Sequence, residues 1–328
     1  MSDTKILDLR QTCDFILEHD NYLILTHAMP DGDTLGSAYA LCAGLINMGK
    51  KAKVVCSDEL PRQYEYFTKK VVFPEFSEET IISCDVADRK LLGKYEELAD
   101  RVELAIDHHV SHRAFAKRLY LDGTAAAACE CIYDIFFMLN QPLDLVMAEA
   151  LYTGISTDTG CFKFSNTTPK TLVTAAALME KDVDFAEINR IMFDTKTHGR
   201  MAIEKKAMNK VKLYFEGQVA VMSVTTKMKL DSGCTDGDLE GITAIPRTIE
   251  GVKIGVTLRQ KAPRVWKVSM RSYPPYDVSQ ICACMNGGGH KYAAGCELSG
   301  TVRQVKKEIL KHIKKALEET GAGNNIAQ

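Results

Sequence analysis

The chain has 328 residues, with 41 Lys and Arg against 43 Asp and Glu and a formal net charge of −2; that length suits two domains, each with its own core, and the balanced charge excludes a global basic field able to hold long duplex DNA. Eleven cysteines without a CxxC pair, set mostly in apolar stretches, read as reduced thiols of a cytoplasmic protein. No basic segment precedes an apolar one at the N-terminus, and no run approaches the ~18 apolar residues of a membrane span, which excludes a secretory signal and a membrane.

Residues 5–18 read as an amphipathic helix with Ile6, Leu9, Cys13, Ile16 and Leu17 on one side. An apolar strand at 22–26 leads through the loop 27–33 into a helix at 34–48, closed by Gly49. Strands follow at 53–56, 80–84 and 102–106, then helices at 125–140 and 144–157. Apolar strands alternating with helices predict a parallel sheet covered on both faces. Segment 168–210 is helical, with weakened periodicity near Asp194 and His198 that marks a linker at 195–210. A second rhythm starts at Val211, with strands at 211–215, 218–224, 252–259 and 265–271, a helix from Asp277, and a last helix at 302–319 before a flexible tail at 321–328. The expected domains are therefore 1–194 and 211–320.

Four acidic and histidine clusters stand at strand or helix ends: His27-Ala-Met-Pro-Asp31-Gly-Asp33, Cys84-Asp85, Asp107-His108-His109 and Thr157-Asp158. Ligands in α/β folds bind beyond the carboxyl ends of strands, and His27, Asp85 and Asp107 each follow an apolar strand. Gly32 would let the backbone curl so that Asp31 and Asp33 diverge towards two cations. Oxygen-rich sets with few imidazoles suit Mn²⁺ or Mg²⁺ better than zinc; Mn²⁺ is the first expectation, with Mg²⁺ or Co²⁺ as alternatives. Each cluster alone has a plainer explanation, such as Asp31 capping the following helix, but their joint occurrence favours a two-cation centre.

The order of these motifs resembles the DHH phosphoesterase superfamily over nearly the whole chain, from His27-Ala-Met-Pro-Asp31-Gly-Asp33-Thr-Leu-Gly-Ser37 through Asp85 and Asp107-His108-His109 to Asp158. The resemblance implies one cation held by His27, Asp31 and Asp85, and a second held by Asp33, Asp85, His108 and Asp158. Two cations about 3.5–4 Å apart activate water and neutralise phosphoryl oxygens. His109 would face the phosphate as hydrogen-bond donor or general acid, and Asp107 would orient a histidine from behind; the roles of His108 and His109 are interchangeable at this level.

Further on, Asn286-Gly-Gly-Gly-His290, with Arg271 and Ser272 upstream, resembles the DHH-associated C-terminal domain. Successive glycines let backbone N–H groups approach an anion. By that match Arg271, Ser272, Gly288, Gly289 and His290 would hold the far phosphate or base of a nucleotide. The implied fold is a parallel-sheet N-terminal domain and a smaller mixed α/β C-terminal domain with the active site in the cleft between. Within the superfamily the pattern most resembles enzymes that degrade short RNA oligonucleotides and dephosphorylate 3′-phosphoadenosine 5′-phosphate (pAp). Competing readings are a phosphodiesterase of cyclic dinucleotides or pApA and a non-catalytic nucleotide-binding regulator; a homodimer is compatible with all of them.

Overall fold

The computed structural model describes residues 4–323 except residue 240; the expected tail falls outside the described residues from position 324 onward, and the last helix runs on to Gly323. The chain divides into two compact units, Met1–Thr195 and Lys196–Gln328.

In the first unit, β1 (Lys5–Ile6), α1 (Leu9–Glu18), β2 (Tyr22–Leu25), α2 (Gly32–Asn47), β3 (Ala52–Val55), α3 (Glu65–Thr68), β4 (Thr80–Cys84), β5 (Val102–Asp107) and β6 (Arg118–Leu121) are followed by α4 (Ala128–Met138), α5 (Leu145–Asp158), α6 (Pro169–Met179) and α7 (Phe185–Asn189). The six strands form one all-parallel sheet in the order β1-β6-β5-β4-β2-β3. The order in which strands are added reverses between β2, which has β3 on one side, and β4, which continues to β5 and β6 on the other. That is the switch point at which such sheets open a crevice at their carboxyl ends. Strands β2 and β4 are buried along their whole length, which is why they read as unbroken apolar runs.

The expected helix at 5–18 is shorter. Asp8 caps it, accepting from Gln11 N–H while the Gln11 side chain returns to Asp8 N–H, and this capping box starts the helix at Leu9. Ile6 lies instead in β1, paired with Leu119 and exposed, and Leu17 is also exposed; Thr12, Cys13, Phe15 and Ile16 form the inner face. Helix α2 is buried on all sides from Gly32 to Leu45, as an apolar helix must be. It lies close against α5, where a Cβ on Gly36 would stand 2.4 Å from the Ala150 carbonyl oxygen.

The second unit contains α8 (His198–Met208), β7 (Lys212–Tyr214), β8 (Val219–Val224), α9 (Thr226–Leu230), β9 (Ile254–Ala262), β10 (Val265–Ser272), α10 (Val278–Ala283), β11 (Gly288–His290), β12 (Ala293–Ser299) and α11 (Val302–Gly323). Its sheet runs β11-β12-β10-β9-β8-β7, with β8 and β9 parallel and the other pairs antiparallel. One face packs on α10 and α11 through residues such as Val256, Met270, Ile281 and Ile309. Strands β11 and β12 lie where the sequence reads as a glycine loop: the glycine segment is an edge hairpin, not a free turn.

Candidate metal centre

The four acidic and histidine clusters converge at the carboxyl ends of β5, β4 and β2, three neighbours in the sheet. His27 follows β2, Asp85 follows β4, Asp107 ends β5 with His108 and His109 behind it, Asp31 and Asp33 open α2, and Asp158 ends α5. Asp85 holds a left-handed backbone, φ 58°, while its N–H donates to the Ile106 carbonyl at 2.9 Å. Aspartate tolerates that conformation better than most side chains.

Ligand atoms of His27, Asp31 and Asp85 lie within 4.8 Å of one another, and so do those of Asp33, His108 and Asp158. His27 Nε2 is 3.5 Å from Asp31 Oδ1 and 3.7 Å from Asp85 Oδ2. His108 Nε2 is 3.6 Å from Asp33 Oδ2, 3.6 Å from Asp85 Oδ1 and 3.5 Å from Asp158 Oδ2. Asp85 thus turns one oxygen to each histidine.

The far nitrogens of both rings explain these distances. His27 Nδ1 donates to the Ala28 carbonyl at 2.8 Å and His108 Nδ1 to the Ala125 carbonyl at 3.3 Å, which leaves each Nε2 lone pair facing carboxylate oxygens. Lone pairs opposed at 3.5–3.7 Å are too far apart to hydrogen-bond well and are mutually repulsive without a cation between them. Asp85 Oδ1 and His108 Nε2 are buried, and neither has a hydrogen-bond partner among the described residues. The donor set, carboxylates with one imidazole on each side, fits hard divalent cations.

The electrostatics agree. Burial, followed by the charge of Asp31, pushes the Asp33 carboxyl up to about 6, although Ala128 and Cys129 N–H donate to it at 2.6 and 2.9 Å. Burial and then Asp33 push Asp158 up to about 7, and the same two causes drive Asp85 well above the carboxylate range. Burial pulls His27 down, but the Asp31 carboxylate outweighs it and the net shift is upward. Acids so crowded ionise together only if positive charge joins them.

Asp107 plays a different part. Its Oδ1 accepts from the N–H groups of His108 and His109 at 2.7 and 3.2 Å and from His109 Nδ1 at 2.8 Å. Burial raises this carboxyl, yet the His109 hydrogen bond outweighs it and holds Asp107 low; the same bond, the largest influence on His109, raises the imidazole. His109 is about half exposed, with Nε2 its remaining nitrogen. Sequence reasoning overlooked His112, whose buried ring stacks on Phe115 and faces Asp107 Oδ2 at 3.8 Å. Ala114 N–H donates to His112 Nδ1, which leaves the proton on Nε2 towards Asp107. Its only signal was the spacing after His109. Also overlooked was Asn166, which donates to the carbonyls of Ala126 and Asp158 and so ties the end of α5 to the segment whose Ala125 carbonyl holds His108.

Gly32 corrects one expectation. It sits in the first turn of α2 with an ordinary φ, so it does not curl the backbone; a Cβ there would lie 2.3 Å from Thr157 Oγ1, so its smallness admits α5. Asp31 is the helix cap as well, accepting from Asp33 and Thr34 N–H at 3.1 Å each. Oδ1 makes both capping bonds and is also the oxygen that faces His27 Nε2 at 3.5 Å, so one atom serves the plain explanation and the functional one.

In the second unit Arg271, next to last in β10, lies opposite Ala293 of β12, and His290 lies opposite the same Ala293 from β11. Gly288, Gly289 and His290 are exposed. Gly287 and Gly289 are needed for packing, because a Cβ would meet Gly295 O at 2.3 Å and Ala293 O at 2.7 Å respectively, whereas Gly288 faces open space. Ser272 does not belong with them. It is buried, its hydroxyl donates to the Tyr276 carbonyl and its N–H to the Tyr292 carbonyl, so it closes the turn after β10.

Comparison with known proteins follows the same division. The family profile described as DHH family, N-terminal domain, matches residues 21–155, and the DHHA1 domain matches residues 216–319. A Thermus thermophilus protein named bifunctional oligoribonuclease and PAP phosphatase NrnA is 30% identical over 306 residues, spanning 91% of this chain and 90% of its own. A Bacillus subtilis protein of the same name is 24% identical over 285 residues, 85% of this chain and 90% of its own. Among solved structures, an exopolyphosphatase-related protein from Bacteroides fragilis aligns with a TM-score of 0.82 at 23% identity over 95% of both chains. The exonuclease RecJ bound to manganese aligns at 0.53 and 13% identity over 92% of this chain and 93% of its own. These structural likenesses establish the fold. Among the described residues no helix is long and apolar enough to cross a membrane.

Proposed function

The chain belongs to the DHH family, and on that premise we propose that it is a cytoplasmic, Mn²⁺-dependent phosphoesterase that degrades short oligoribonucleotides to mononucleotides and releases phosphate from pAp. The observation that carries this reading is the pair of histidines fixed by main-chain carbonyls so that both Nε2 lone pairs meet carboxylate oxygens at 3.5–3.7 Å. His27, Asp31 and Asp85 would hold one cation and Asp33, Asp85, His108 and Asp158 the other. When bound, two such ions acidify water towards neutral pH and offset the charge of the phosphoryl oxygens.

The chain's own groups do the rest. His109, whose bond to Asp107 favours the protonated ring, donates a hydrogen bond to a phosphoryl oxygen or a proton to the departing ester oxygen. Asp107 fixes the ring through Nδ1 and frees Nε2 for that task. Arg271, Gly288, Gly289 and His290 grip the end of the nucleotide remote from the scissile bond, so binding energy there favours short substrates with little cost to the chemistry.

The test is to strip metal with chelator, restore Mn²⁺, and measure phosphate released from pAp and mononucleotides released from labelled RNAs two to twenty nucleotides long. Wild type is expected to act on pAp and the shortest RNAs, and Asp85→Asn to lose more than about a hundredfold in kcat. Equal inactivity of wild type and Asp85→Asn on both substrates would sink the enzyme reading, and cleavage confined to pApA would move the substrate to dinucleotides.

A further inference from the structure

The register of the second sheet puts Ala220, Gly255, Arg271, Ala293 and His290 on one rung, strand by strand from β8 to β11. Directly paired residues share a face of a sheet, so Arg271 is flanked by a glycine and an alanine that cannot cover its guanidinium. Arg247, from the 3-10 turn Ile242–Thr248, lies against the same rung: a Cβ on Gly255 would stand 2.7 Å from Arg247 N. Its guanidinium sits 4.8 Å from the ring centre of the exposed Tyr273, two residues beyond Arg271.

Neither arginine has an anionic partner among the described residues. Arg271 Nη1 donates to the Met270 carbonyl, and Arg247 Nε is buried without a hydrogen-bond acceptor among the described residues. Burial, followed by the charge of Arg247, pulls the Arg271 pKa down. Two half-buried guanidiniums whose charges act on each other without a carboxylate repel and leave a buried donor unsatisfied. The group that would reconcile them is an anion carrying more than one charge. Arginine pairs match the geometry of phosphate oxygens.

We propose that Arg247 is the second arm of a two-guanidinium pocket with Arg271, which takes a terminal phosphate dianion and makes the protein prefer nucleotides bearing a 5′-phosphate over those ending in a hydroxyl. This rests on the nucleotide reading above and adds to it a residue and a charge rule. An internal diester carries one negative charge, whereas a terminal monoester carries nearly two at neutral pH. The stack on Tyr273 holds the Arg247 plane in place without consuming its N–H donors.

The first experiment is calorimetric titration of the full-length, metal-free protein with AMP and with adenosine. AMP is expected to bind more tightly than adenosine. Arg247→Met is expected to weaken AMP by about tenfold or more, as loss of charge-assisted bonds does, with adenosine affected less and Arg247→Lys intermediate. In Mn²⁺ assays the preference in kcat/KM for pApA over ApA is expected to fall by a similar factor, through KM. Thermal unfolding checks that the variants fold, and Tyr273→Leu supplies a second route, with an expected loss of AMP affinity smaller than that of Arg247→Met. An Arg247→Met protein with wild-type AMP affinity, or with equal losses on AMP and adenosine, overturns the pocket, as does wild type that binds AMP no better than adenosine. Wild type that cleaves no nucleotide yet binds AMP in an Arg247-dependent way would overturn the proposed reaction and leave the pocket standing.

Discussion

Asp33 and Asp158 make the folded protein sensitive to pH in a direction that can be worked out. Their ordinary value is 3.8, and in the metal-free fold they reach about 6 and about 7. The folded state therefore holds protons that the unfolded chain releases, and stability falls as pH rises from about 4 through 7. His27 and His109, both raised from 6.5, contribute stability at lower pH that also fades as pH rises, so the effects add. The Tm of chelated protein is expected to fall between pH 5 and 7.5, and the rise on adding Mn²⁺ to be larger at pH 7.5 than at pH 5. A flat profile in scanning fluorimetry would contradict the crowding of acids at this site. Asp107→Asn removes the charge that holds His109 and faces His112; activity is expected to fall about ten- to a hundredfold with Mn²⁺ affinity little changed, separable by kcat and by metal titration. At this scale the sequence announced the residues with strong chemistry, His27 to Asp158, because carboxylates at strand ends are conspicuous. It misattributed Gly32 and Ser272, whose reasons are a neighbouring threonine and a turn, and it was silent on His112 and Asn166, which act only through neighbours.

At the scale of elements, glycines on α2 and α5 decide how close the helices come. A Cβ on Gly154 would stand 2.2 Å from Cys129 Sγ and 2.9 Å from Asp33 Oδ1, whereas one on Gly36 would meet the Ala150 carbonyl and Cys129 Sγ. Both Gly154→Ala and Gly36→Ala are expected to cost about 1–3 kcal/mol in chemical denaturation, but Gly154→Ala should weaken Mn²⁺ binding more, since only there is a ligand-bearing carboxylate displaced. The edge hairpin offers a matching contrast. Gly289 has φ 140° and backbone within 2.7 Å of a Cβ, while Gly288 has neither constraint. Gly289→Ala is expected to lower the Tm, and Gly288→Ala to leave it unchanged while raising KM for dinucleotides. This hairpin was illegible because Gly and Ala are poor strand formers, extended here by the pairing of β12 with β10 and of β11 with β12. Strand β1 was hidden for a similar reason: two residues extended only by β6 inherit the apparent periodicity of the helix that follows.

For the molecule as a whole, each unit encloses apolar clusters of its own, around residues such as Ile24, Leu41 and Phe136 in the first and Val256, Trp266 and Ile309 in the second. A chain ended after Thr195 is expected to unfold cooperatively and to gain Tm on Mn²⁺ addition, while failing to discriminate AMP from adenosine; no cooperative transition would mean that the first core depends on the second unit. The parallel sheet and its site were readable because strands buried on both faces are unbroken apolar runs whose ends are marked by the chemistry. Arg247 was not, since its meaning depends on a rung assembled from five strands that no local pattern encodes.

The position of β11 carries a cost and a safeguard that concern the protein in concentrated solution. An outermost strand invites another chain to dock along it, but Gly-Gly-His has little β propensity and no apolar side chain to bury. This exposed glycine segment therefore makes a poor template for self-assembly. Replacing Gly288 with valine would reverse that balance, and the variant is expected to aggregate on storage sooner than the parent, as light scattering would register.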